Sequence, residues 1–111
     1  MDIHQNITHN PWFELSVVEQ LVAIGYDVEK TVQWRDKGDL VESKKSLQNA
    51  LEFLQLSIDD PKNVNRLSEL TKLYDALIDY FMGNNEYSST DEAWHKYFAY
   101  FNHALIQQKG K

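Results

Sequence analysis

The sequence predicts an all-α fold: a single four-helix bundle running up, down, up and down, with short connections and a loosely held N-terminal segment. Two observations carry that expectation. Apolar residues recur every three or four positions through four stretches of similar length, and Gly38-Asp39, Asp60-Pro61 and the run from Gly83 to Thr90 punctuate them. A helix with one apolar stripe must bury it, and short connections make the neighbouring helix in sequence its partner. The expected helices are 16–37, 39–58, 61–82 and 90–107, within one domain spanning 1–111.

The first ten or so residues are polar. Asn10-Pro11 then suits a turn or a helix start, and the adjacent aromatics Trp12 and Phe13 are expected to lie against the bundle. Ser16 with Glu19 is a capping box that opens the first helix. Val18, Leu21, Val22, Gly25, Val28 and Val32 form its expected inward stripe. A mid-helix glycine costs about 1 kcal/mol against alanine, so Gly25 signals a close helix crossing. Gly38 is a left-handed stop, and Asp39 with Glu42 repeats the start signal at once.

Helix two therefore folds back antiparallel on helix one, with Leu40, Leu47, Leu51, Leu54 and Ile58 inward and Ala50 beside them. Phe53 and Leu56 fall on its opposite side at about 100° per residue. They offer a patch for Trp12 and Phe13 to cover, or a surface for a partner. Asp60-Pro61 opens helix three, whose apolar arc from Val64 through Leu67, Leu70, Leu73, Tyr74, Leu77, Ile78 and Tyr80 to Phe81 is the widest. It is expected to be the most buried helix. The longest connection, through Tyr87, is the expected functional loop. Thr90 or Ser89 caps helix four, whose stripe is Trp94, Tyr97, Phe98, Phe101 and Leu105, with Tyr100 at its edge.

At 111 residues, folding buries roughly 65% of the unfolded chain's surface, enough for one core without staples. The chain is 42% hydrophobic and 13% aromatic, and its 11 Lys and Arg against 17 Asp and Glu give a net charge of −6. Such an acidic field repels a phosphate backbone, and Lys44-Lys45 is the only adjacent basic pair, so no nucleic-acid partner is expected. Without cysteine there is no disulfide and no thiolate zinc site. No apolar run approaches a membrane span and no secretory signal opens the chain, so a cytoplasmic protein without a membrane partner is expected. Asn6-Ile7-Thr8 is then a chance glycosylation sequon.

Three chemical constellations invite a test. Asp75 and Asp79 share one face of helix three, the pattern of a magnesium-dependent nucleotide hydrolase, but no second acidic pair accompanies them. Glu92 and His95 have the Glu-x-x-His spacing of one half of a carboxylate-bridged di-iron site, and no second copy exists. His4 and His9 lie in the N-terminal segment, and His95 and His103 are about 80° apart on a helix, so neither pair chelates. Arg35 and Arg66 lack the nearby histidine of a helical ribonuclease. No phosphate loop or nucleophile context is present.

The balance favours a non-enzymatic interaction domain (an adaptor, a small chaperone or an accessory subunit) that needs no cofactor and binds another protein or itself. Trp34, Phe53, Leu56, Tyr87 and Tyr100 are its candidate contact residues, since exposed Tyr and Trp dominate binding hot spots. The alternative is the hydrolase, with Asp75 and Asp79 as metal ligands.

Overall fold

The computed structural model describes residues 10–109, so His4, His9 and the sequon at Asn6 lie outside the described residues. Asn10 starts a 3-10 turn, Pro11–Glu14, by accepting the Trp12 N–H at its side chain. Four helices follow: α1, Val17–Asp36; α2, Leu40–Asp59; α3, Leu67–Met82; and α4, Asp91–Lys109. A second 3-10 segment, Pro61–Arg66, precedes α3. The helices alternate in direction as an up-down-up-down bundle with no strand among the described residues.

Local chemistry sets the corners. Ser16 accepts the Glu19 N–H while Glu19 accepts the Ser16 N–H, a complete capping box. Gly38 adopts a φ of 82°, which lets the chain reverse within three residues. Asp39 then caps α2 through the Glu42 N–H, and Thr90 caps α4 through that of Ala93. Asp60 caps the segment after it through the Lys62 N–H.

That segment is 3-10 rather than the expected first turns of an α-helix. Its sequence, Pro-Lys-Asn-Val-Asn-Arg, holds weak helix formers. Asn63 also drives its amide into the core, donating to the Ser57 carbonyl and to Gln20 Oε1. Val64 consequently faces solvent.

The core gathers Trp12, Leu21, Ile24 and Val28, Ala50 and Leu54, Leu70, Leu73 and Leu77, and Trp94, Phe98 and Phe101. The most buried helix is α1, not α3. It is sandwiched between α2 and α4, so Ile24, outside the expected stripe, has no exposed surface, and Gln20 and Thr31 are buried with it. Ser43 of α2 donates its hydroxyl to the Thr31 carbonyl, fixing the antiparallel α1–α2 pair. Leu40, expected inward, is 69% exposed because it sits at the first position of α2, beyond the reach of α1.

The α1–α4 crossing is as close as Gly25 implied. A Cβ on Gly25 would stand 2.7 Å from Phe98 Cβ and from its ring. The two helices run antiparallel, with Glu29 beside His95, Gly25 beside Phe98 and the Lys109 charge acting on Glu19. Between α3 and α4 the bridge is made by side chains: the Tyr80 ring near Trp94, Tyr97 donating to Glu69, and Arg66 6.0 Å from the Phe101 ring centre.

Candidate functional site

The sequence-derived contact residues do not converge on one patch. Phe53 stacks on Trp12 with ring centres 4.5 Å apart, and Leu56 is half-buried against the same core, so the N-terminal aromatics take up that side of α2. Trp34 is half-buried, with Lys37 Nζ 5.2 Å from its ring centre. It lies near the end of α1 opposite Gln20 and Trp12, about 20 Å along the helix. Tyr87 and Tyr100 are 66% and 68% exposed. Tyr87 stands on the α3–α4 loop and Tyr100 on the outer flank of α4.

Asp79 organises that loop. Its two carboxylate oxygens accept the Glu86 and Tyr87 N–H groups at 2.8 and 3.1 Å, and its carbonyl accepts that of Asn85. Asn85 exchanges side-chain hydrogen bonds with the Ser89 backbone, and Asn85 and Ser88 take the left-handed conformation at φ 53° and 55°. Asp79 is thus committed to backbone donors, while Asp75 is exposed. No group of three His, Cys, Asp or Glu able to hold a metal occurs among the described residues. Glu92 pairs with Lys96 and His95 with Glu29, so the Glu92–His95 spacing joins nothing.

Two grooves flank α4. The first, of about 460 Å³, runs along the α1–α4 crossing. Val22, Gly25, Phe98 and Ala99 form its apolar wall, while Tyr26, Gln33 and Asn102 stand on its rim with the Glu29–His95 pair. Glu29 Oε1 and His95 Nδ1 are 2.8 Å apart. Lys30 Nζ lies 4.5 Å from the Tyr26 ring centre, yet Tyr26 remains 64% exposed. At 100° per residue, Ile106, 62% exposed, shares the flank of α4 that carries His95, Ala99 and Asn102.

The second groove, of about 630 Å³, separates α3 from α4 and is lined by Arg66, Glu69, Lys72, Leu73, Trp94 and Tyr97 among others. Arg66 donates to both oxygens of Glu69, at 2.8 and 3.0 Å. Its guanidinium holds the Glu69 carboxyl below the usual range, and burial pushes the Tyr97 hydroxyl up, with the Glu69 charge adding to it. The Trp94 Nε1–H is the one buried side-chain donor or acceptor without a partner among the described residues.

No protein-family model, curated protein or solved structure matches the chain.

Electrostatics elsewhere are structural. Asp91, at the start of α4, accepts from Arg35 of α1 and from the Tyr80 hydroxyl of α3, tying three helices at one corner. Arg35 holds its carboxyl low, and burial raises the Tyr80 hydroxyl. At the opposite end, Gln20 donates to Asp60 and to the Trp12 carbonyl, and Trp12 Nε1 donates to Ser57. Lys62 pairs with Asp60 and donates to the Phe13 carbonyl. Burial alone would raise Asp60, but Lys62 and Gln20 outweigh it and hold the carboxyl low. Both networks are saturated by intramolecular partners, which leaves the two grooves as the candidate sites.

Sequence reasoning missed Tyr26, Ala99 and Ile106. Gly25 was the available signal: a helix crossing close enough to need glycine brings the residues beside it, Val22 and Tyr26, to the edge of a furrow.

Proposed function

We propose that the chain is a protein-binding domain and that the α1–α4 groove receives an amphipathic helix of a basic partner. The supporting observation is the apolar wall of Val22, Gly25, Phe98 and Ala99 beside the exposed side chains of Tyr26 and Ile106. Recognition of a helix in a groove uses apolar anchors at three- and four-residue spacing. The groove's α1 side, from Val22 to Gln33, is about 17 Å long, or three helical turns. Tyr26 supplies the rigid, amphipathic area typical of a hot spot. Gln33 and Asn102 add amide donors and acceptors at the rim. The net charge of −6 favours a partner rich in Lys and Arg and disfavours a second copy of the same acidic chain. No reaction is assigned.

A fluorescent peptide of about 15 leucines and lysines with helical periodicity provides the test. It is expected to bind saturably. Tyr26→Ala should weaken it about tenfold, a loss of roughly 1.4 kcal/mol. Ala99→Glu should abolish binding, whereas Tyr87→Ala, on the α3–α4 loop, should change nothing. Equal losses at Tyr26 and Tyr87, or no saturable binding, would remove this reading. Light scattering that showed a dimer lost in Ala99→Glu would replace the partner with a second copy.

A further inference from the structure

We propose that the groove between α3 and α4 binds a small amphipathic monocarboxylate, its apolar body on Trp94 and Leu73 and its charged head at Lys72. This site is independent of the α1–α4 docking groove, because Trp94 and Tyr97 lie on the other flank of α4 from Ala99 and Asn102.

Three observations converge. The groove, of about 630 Å³, sets an apolar floor of Leu73, Ala76 and Trp94 among mostly polar lining residues, with Leu73 and Trp94 exposing only their edges to it. The charges are lopsided. Arg66 and Glu69 neutralise one another through two hydrogen bonds, while Lys72 makes no ion pair among the described residues. One positive charge is therefore in excess at this groove, on a chain whose net charge is −6. The third observation is the unpartnered indole N–H of Trp94, a buried residue that also lines the groove.

Buried donors are almost always satisfied, and an unpaired one on a residue that lines a groove is a donor that an acceptor bound there can satisfy. A carboxylate has two acceptor oxygens, and charge-assisted bonds to an ammonium are the stronger kind. Lys72 engages the head at the mouth. The Trp94 N–H is covered in the free protein, so Lys72 makes the first contact with the head and the indole N–H joins it only where the ring turns toward the groove. An alcohol of the same shape gains the apolar contact and loses the ionic one. A dianion is disfavoured, since Lys72 is the one cation lining this groove that makes no ion pair among the described residues.

The indole N–H resonances of the ¹⁵N-labelled full chain test this. Its tryptophans sit in distinct settings: Trp12 is bonded to Ser57, Trp34 lies beside Lys37 and Trp94 is unpaired. Phenylacetate is expected to move the Trp94 resonance saturably at concentrations up to about 10 mM, leaving that of Trp12 in place. The uncharged analogue 2-phenylethanol should bind at least about tenfold more weakly, and Lys72→Met should cost a similar factor. Lys72 is exposed, so its replacement leaves the fold intact. The tripeptide Gly-Gly-Phe separates the two natural sources: tighter binding than phenylacetate points to a peptide C-terminus, weaker binding to a free acid. The proposal is overturned if the Trp94 resonance does not move, if 2-phenylethanol binds as well as phenylacetate, or if Lys72→Met has no effect.

Discussion

At Gly25 the absent side chain is what the fold requires. An alanine there would gain about 1 kcal/mol of helix propensity, but its Cβ would meet Phe98 at 2.7 Å. The contacted atoms include Phe98 Cβ, which is fixed to the α4 backbone and cannot swing aside. The clash wins: Gly25→Ala should destabilise by about 1–3 kcal/mol in urea denaturation, and a stabilised variant would disprove the close crossing. Gln20 is the corresponding polar case. It has no exposed surface and bridges Asp60, Asn63 and the Trp12 carbonyl. Gln20→Ala strands those groups in the interior, so a loss of roughly 2–3 kcal/mol is expected from the same measurement. A loss below about 0.5 kcal/mol would mean that water replaces the amide.

Among the elements, the 3-10 turn Pro11–Glu14 acts as a clamp on α2. Trp12 stacks on Phe53, donates to Ser57 and is itself buried. Trp12→Ala should cost about 3–5 kcal/mol and uncover Phe53, which binding of a hydrophobic dye would register. The corners were legible in the sequence because each depends on neighbours along the chain. Ser16 and Glu19, Gly38, Asp60 and Thr90 all act within three residues of themselves. The clamp joins residues more than forty positions apart, and stood in the sequence only as one of two readings of the Phe53 and Leu56 patch. The phase of α1 was legible only in part: Leu21, Gly25 and Val28 of the expected stripe are buried, but the buried face is turned toward Gln20, Ile24 and Thr31. Ile24 is buried because two helices cover α1 from different sides, a fact that depends on where α4 returns. The grooves were hidden for the same reason: Glu29 meets His95, and Glu69 meets Tyr97, only after the bundle has closed. Asp79 was recognised as one of a carboxylate pair, but its actual partners are amides of the loop that follows. Asp79→Ala should therefore speed hydrogen exchange at Glu86 and Tyr87 selectively, and unchanged exchange there would show that the loop holds itself.

Over the whole molecule, acid is the expected weakness. Asp60, Glu69 and Asp91 all have carboxyls held below their ordinary values by Lys62 and Gln20, by Arg66 and by Arg35 respectively. A carboxylate with a depressed folded-state pKa contributes stability above its unfolded value, near 4, and loses it as the pH falls through the folded one. Asp27, raised by burial, works in the opposite direction but stands alone. Asp60 should dominate, because it is the buried member, whereas the exposed flanks of Glu69 and Asp91 are screened. The urea midpoint should stay level near neutrality and drop below about pH 4, more gently in Asp60→Asn, where the titrating group is gone. A midpoint that rose on acidification would contradict this balance. The antiparallel return of α4 along α1 has one more consequence. It leaves Asn10 and Lys109 at the same pole, so a short designed bridge between them, with new ends cut at Asn84, should yield a circular permutant that still folds.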